Sequence, residues 1–79
     1  TAKIMIPNPV LKRGSKGKDV VALQDALKLQ NINVGTSDGD FGKNTEDGVK
    51  ELQTRKHNLE INGIYNAETR DLLESLFQA

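Results

Sequence analysis

Two stretches of this 79-residue chain are variants of one pattern, and the repetition limits what the chain can fold into. "SDGDFGKNTEDGV" begins at residue 37 and "INGIYNAETRDLL" at residue 61. Shifted from 38 to 62, they match in kind: Asp38-Gly39 falls on Asn62-Gly63, Phe41 on Tyr65, Gly42 on Asn66 and Thr45 on Thr69. Each copy has a physical meaning. An Asp or Asn side chain accepts from a backbone N–H just ahead of it, and the glycine that follows takes the left-handed conformation. An aromatic residue then points back into the fold. Gly42 or Asn66 stands at a helix N-cap, with Thr45 or Thr69 in the first turn and Glu46 or Glu68 where the helix dipole favours negative charge. The repeat predicts two loop-to-helix units, 38–53 and 62–77, that superpose.

A further helix precedes them. Val20, Leu23 and Leu27 fall at i, i+3 and i+7, with Ala22 and Ala26 beside them, which is a helical stripe. Ser15 or Gly17 can cap its start, Asp19 suits its first turn, and "NINVG" breaks it. The expected helices are 17–30, 43–57 and 67–77. Val20, Leu23, Leu27, Val49, Leu52, Leu72, Leu73 and Leu76 form one core, with Phe77 also inward. Gly48 costs about 1 kcal/mol against alanine in a helix interior, so it is expected where another backbone comes close, against the first helix. No segment alternates like a strand. The reading is a small all-α, three-helix bundle.

"TAKIMIPNPV" carries both prolines, which lack a backbone donor and favour extended geometry before them. Residues 1–10 are read as a linker or N-terminal extension, with Ile4, Met5 and Ile6 laid on the domain, and residues 11–79 as the domain itself.

Composition removes several classes of function. The chain is 35% hydrophobic, and one of this size buries roughly 60% of its unfolded surface. Binding therefore belongs on a surface or in a shallow groove. Eleven basic and eleven acidic residues cancel, whereas nucleic-acid readers need a cationic excess; no nucleic-acid partner is expected, and Lys12, Arg13, Lys16 and Lys18 read as a solvated loop. No apolar run approaches the ~20 residues of a membrane span. With no cysteine, a disulfide framework and a thiolate zinc site are excluded. His57, the one histidine, reads as a helix-end residue. A calcium loop begun at Asp38 would need glycine sixth and glutamate twelfth, where Lys43 and Val49 stand. Paired carboxylates for glycoside hydrolysis need a cleft. The chain is expected to have no catalytic residue, metal or cofactor.

Taken in order, "LKRGSKGKDVVALQDAL", "DGDFGKNTEDGVKELQ" and "INGIYNAETRDLL" resemble the bacterial peptidoglycan-binding domains of three-helix type. The likeness spans residues 11–76 and rests on Gly14-Ser15, Gly17, Asp19-Val20, Leu23-Gln24, Leu27, Asp38-Gly39, Phe41-Gly42, Thr45, Val49, Gln53, Gly63 and Thr69. The chain departs from the pattern at Lys43, where proline is usual, at Gly48 (alanine), at Leu52 (phenylalanine), and at Asn62-Gly63 and Asn66-Ala67 in the second turn (Asp-Gly and Gly-Pro).

The resemblance implies a non-catalytic module that anchors a wall hydrolase or endolysin to peptidoglycan. It would act as a monomer outside the cell, at the wall or in the periplasm, or from a phage on its host's wall. The catalytic domain is expected before residue 1. A protein-interaction or pro-domain-like module of the same fold is the alternative. The candidate ligand surface combines Asp38, Gly39, Asp40 and Gly42 from the first turn with Asn62, Gly63 and Tyr65 from the second. Each also has a structural role: Asp38 and Asn62 as turn-formers, Phe41 as core and Tyr65 at the boundary. Gln24 and Gln53 are expected to pair with loop backbone.

Overall fold

A computed structural model describes residues 6–77 and contains three helices, α1 (Lys18–Leu29), α2 (Lys43–Gln53) and α3 (Ala67–Leu76). The all-α expectation holds: among the described residues there is no strand, only two isolated bridges, Leu11 with Tyr65 and Lys16 with Asp40. Each helix starts where the sequence places it, with Gly17, Gly42 and Asn66 as N-caps. Asn66 caps with its side chain, Oδ1 accepting from the Thr69 N–H at 3.0 Å. Ser15 is not a cap; its hydroxyl accepts from the Lys12 N–H in the preceding turn.

The helix ends follow from what comes next. At the end of α1, Asn31 turns left-handed (φ 64°) and the Ile32 N–H reaches back to the Leu27 carbonyl, a C-terminal motif that satisfies carbonyls left open by the last turn. Helix α2 stops at Gln53, short of the expected 57. Gln53 binds residues 62–64, so the chain must reverse within a few residues. Four more helical residues would carry it about 6 Å the wrong way. His57 accordingly lies on an exposed loop and not at a helix end.

Residues before α1 run along both copies of the repeat. Leu11 and Tyr65 exchange backbone hydrogen bonds of 3.0 and 2.8 Å, and Gly14, Ser15 and Gly17 make three more with Phe41 and Gly39. Further upstream, the buried Pro7 accepts from the Tyr65 hydroxyl through its carbonyl at 2.7 Å. Packing thus reaches into the stretch read as a linker, where Ile6 is half-buried against the core. Ile4 and Met5 lie outside the described residues.

The core contains the expected Val20, Leu23, Leu27, Val49, Leu52, Leu72 and Leu73, joined by Leu11, Ala26, Ile32, Val34, Phe41 and Tyr65. Leu76 is not part of it. It sits in the final turn of α3 with 38% of its surface exposed, and the adjacent Phe77 packs on the core instead. Gly48 also has a different neighbour from the one expected. A Cβ there would overlap the Val34 side chain and crowd Ile32. The connection after α1, and not a helix backbone, makes the close approach. Among the described residues no helix is long and apolar enough to cross a membrane.

Candidate functional site

Each copy of the repeat is organised by one buried glutamine. Gln24, from α1, accepts the Gly39 N–H through Oε1 at 3.0 Å. Its Nε2 donates to Asp38 Oδ1 (3.3 Å), the Asp40 carbonyl (3.1 Å) and Thr45 Oγ1 (2.9 Å). Gln53, from α2, repeats the arrangement one unit later. Its Oε1 accepts from the Asn62 and Gly63 N–H groups, each at 3.0 Å. Its Nε2 donates to Asn62 Oδ1, the Ile64 carbonyl and Thr69 Oγ1 at 3.0, 3.1 and 3.0 Å. Gln24 is 1% exposed and Gln53 0%, so these polar groups must find partners in the protein. Pairing of both glutamines with loop backbone matches the expectation. Their bonds to Asp38, Thr45, Asn62 and Thr69 side chains go beyond it.

The turns themselves have the expected chemistry. Asp38 Oδ1 accepts from the Asp40 N–H and Asn62 Oδ1 from the Ile64 N–H, at 3.0 and 2.9 Å. Gly39 and Gly63 take positive φ, 78° and 75°. The backbone N–H of Asp40 and then the Gln24 amide hold the Asp38 carboxyl below its ordinary pKa.

The first turn borders a groove. It has a volume of about 290 Å³ and is lined by Gln24, Val34, Thr36, Asp38, Asp40, Gly42, Lys43, Asn44 and Thr45. Asp38 and Asp40 are exposed. Lys43 at the rim is paired with Asp47 at 2.9 Å, which holds the Asp47 carboxyl low. With that cation neutralised, the groove presents carboxylates together with the Thr36 hydroxyl and the Asn44 amide.

The expected ligand surface therefore divides. Asp38, Asp40 and Gly42 line the groove; Gly39 is buried beside it, held by Gln24. Asn62 is half-buried and Gly63 buried, both bound by Gln53. Tyr65 corrects the expectation of a boundary ring. It is 0% exposed, its hydroxyl is satisfied by Pro7, and burial raises its pKa above the ordinary 10.0. Its ring belongs to the core, like that of Phe41. Val34, Thr36 and Asn44 escaped the reading of the sequence. The signal available was spacing: glutamine and turn lie 14 residues apart in the first copy and 9 in the second.

The order of these elements and their glutamine-centred turns can be compared with known proteins. The family described as "Putative peptidoglycan binding domain" matches residues 16–73. This chain belongs to that family. As a peptidoglycan-binding domain it is similar to part of the spore cortex-lytic enzyme of Bacillus cereus, 36% identical over 66 residues, covering 84% of this chain and 25% of that enzyme. The chain thus spans about a quarter of the length of this curated relative. Among solved structures, the SleB N-terminal domain superposes with a TM-score of 0.81 at 32% identity, over 91% of this chain and 97% of that one. A fused Zn-dependent amidase/peptidase/peptidoglycan-binding domain-containing protein from Clostridium acetobutylicum gives 0.70 at 37% identity, over 84% of this chain and 29% of that one.

Proposed function

We propose that this domain holds an attached wall-lytic enzyme on peptidoglycan and that the first-turn groove is its contact surface. The observation that carries the reading is the groove itself, open beside Asp38, Asp40, Thr36 and Asn44 in a member of a peptidoglycan-binding family. Peptidoglycan offers N-acetyl sugars and stem peptides rich in amides. The carboxylates of Asp38 and Asp40 accept from such N–H and O–H groups, while Asn44 and Thr36 donate as well as accept. Asn62, Gly63 and Tyr65 serve the scaffold in this reading.

A groove this shallow supports modest affinity, because association costs several kcal/mol before any surplus appears. Dissociation constants between about 1 μM and 1 mM are expected. Tethering makes that sufficient, since it raises the local concentration of the attached enzyme on a polymeric substrate. The domain acts as a monomer, outside the cell at the wall. The similar SleB domain is that protein's N-terminal one, which supports a partner downstream. The gene sequence on both sides decides the order.

Co-sedimentation with purified sacculi tests the proposal. Wild type should pellet with the wall, and Asp40→Ala and Asn44→Ala, which change exposed side chains and leave the backbone bonds of the Gln24 network in place, should pellet less while remaining folded. A wild type left in the supernatant at millimolar concentration would reject peptidoglycan binding. Binding that neither substitution weakens would reject the groove.

A further inference from the structure

Asn62-Gly63 is the one Asn-Gly pair in the chain. Glycine, without a Cβ to shield its nitrogen, makes this dipeptide prone to losing the side-chain amide. Hydroxide removes the Gly63 amide proton, and the nitrogen attacks Asn62 Cγ. The new C–N bond closes a five-membered succinimide while the Cγ–NH₂ bond breaks and ammonia leaves. One water then opens the ring at either carbonyl, giving aspartate or, with the backbone routed through the side chain, isoaspartate.

The fold engages both reacting groups. The Gly63 N–H is buried and donates to Gln53 Oε1 at 3.0 Å. Asn62 Oδ1 is held by Gln53 Nε2 and by the Ile64 N–H at 3.0 and 2.9 Å, one residue beyond the nitrogen that would attack. Glu46 and Lys50 lie over Gly63, so close that a Cβ on it would meet Glu46 Cγ at 2.7 Å. Deprotonation and ring closure both require the Gln53 clamp to open.

The chain also contains the product's geometry. Asp38 occupies the matching place in the first turn. Its Oδ1 accepts from Gln24 and from the N–H two residues on, as Asn62 Oδ1 does with Gln53. The side-chain hydrogen bonds of Asn62 all run through Oδ1, an atom that a carboxylate also supplies. We propose that Asn62-Gly63 is a deamidation site locked by Gln53. It is silent in the folded domain and reacts when the second turn opens. The aspartate product refolds into the same network, and the isoaspartate product, with its lengthened backbone, does not.

The test is incubation of the whole chain in mildly alkaline buffer, native and in urea, with amide-to-acid conversion read by mass spectrometry on the tryptic peptide 57–70. Reaction only through the opened fraction predicts a native rate at least about tenfold below the unfolded rate, rising in step with Gly63 amide hydrogen exchange as urea is added. Asn62→Asp should fold with an unchanged spectrum and a cooperative melt. Equal native and unfolded rates, measured where circular dichroism shows the chain folded, would overturn the lock. An Asn62→Asp variant that fails to fold, or an isoaspartate product that melts like the unmodified chain, would overturn the account of the products.

Discussion

The first turn around Gln24 and the second around Gln53 are held by closely matching bonds, the second with one more from the Asn62 N–H, and differ in their surroundings. Gly39 in the first lies against the backbone carbonyl of Gly17 and the side chain of Val21; Gly63 in the second lies under Glu46 and Lys50. These neighbours correspond, since the step from Gln24 to Gln53 also takes 17 to 46 and 21 to 50. The larger difference is the connection. It is five residues longer before the first turn, and its added length carries the buried Ile32 and Val34 onto α2 at Gly48. Val34 and Thr36 then form a wall of the groove. The glutamine networks are scaffold, repeated because two helix starts must be held. The open surface comes from the part of the chain that is not repeated.

The largest expected effect is also the one that should be alike in both turns. Gln24→Leu and Gln53→Leu each strand several buried N–H, carbonyl and hydroxyl groups, and each unsatisfied group costs about 1–3 kcal/mol. Urea denaturation should show a loss of at least about 3 kcal/mol from either. A loss confined to one of them would break the equivalence of the scaffolds.

The glycines should separate the turns. Both have positive φ, where a side chain costs about 1–2 kcal/mol. A Cβ on Gly39 would also sit 3.1 Å from the backbone oxygen of Gly17, which cannot swing aside as the Glu46 and Lys50 side chains can. Gly39→Ala should therefore cost about 2–3 kcal/mol and Gly63→Ala about 1–2 kcal/mol, read from the same denaturation curves. The reverse order would mean that the neighbours are wrongly assigned.

Gly48→Ala tests the wall of the groove. Alanine gains about 1 kcal/mol of helix propensity, yet its methyl would overlap Val34, and overpacking costs about 1–3 kcal/mol. A net loss of about 1 kcal/mol is expected, together with weaker wall binding as Val34 shifts. A stabilised variant would show that the connection does not press on α2.

The smallest contrast is in acid. A carboxyl with a depressed folded pKa contributes stability that is present above its unfolded pKa and is lost as pH falls through the folded value. Asp38 is such a group, and its counterpart Asn62 does not titrate. Between neutrality and about pH 4 the Asp38 contribution should persist and then fade with further acidification. Asp38→Asn should flatten that part of the thermal-melt profile against pH. An unchanged profile would remove Asp38 from the network's energetics.

Much of this architecture is legible in the residues. Gly42 and Asn66 mark helix starts because an Asx-Gly turn, an aromatic residue and a first-turn threonine specify a loop entering a helix. Gln24 and Gln53 announce themselves as polar residues on apolar helix edges, which need partners. Tyr65 is not legible in the same way, because its burial depends on a carbonyl at Pro7, far away in the chain. The end of α2 is hidden by Lys56, which continues the helical spacing while the Gln53 clamp forces a reversal. Leu76 fits the apolar stripe of α3 but lies in its last turn, where Phe77 packs inward. The groove is least visible of all. Thr36 and Asn44 belong to no periodic pattern, and only the unequal spacing of the two glutamine–turn pairs points to the added wall.

The most direct test of the central claim is an NMR titration of the labelled domain with soluble peptidoglycan fragments, carried to millimolar ligand. The account predicts amide shifts concentrated at Val34, Thr36, Asp38, Asp40 and Lys43 to Thr45, with Asn62 to Asn66 nearly still although a matching hydrogen-bond network holds them. Shifts concentrated in the second turn, or none anywhere at that concentration, would contradict it.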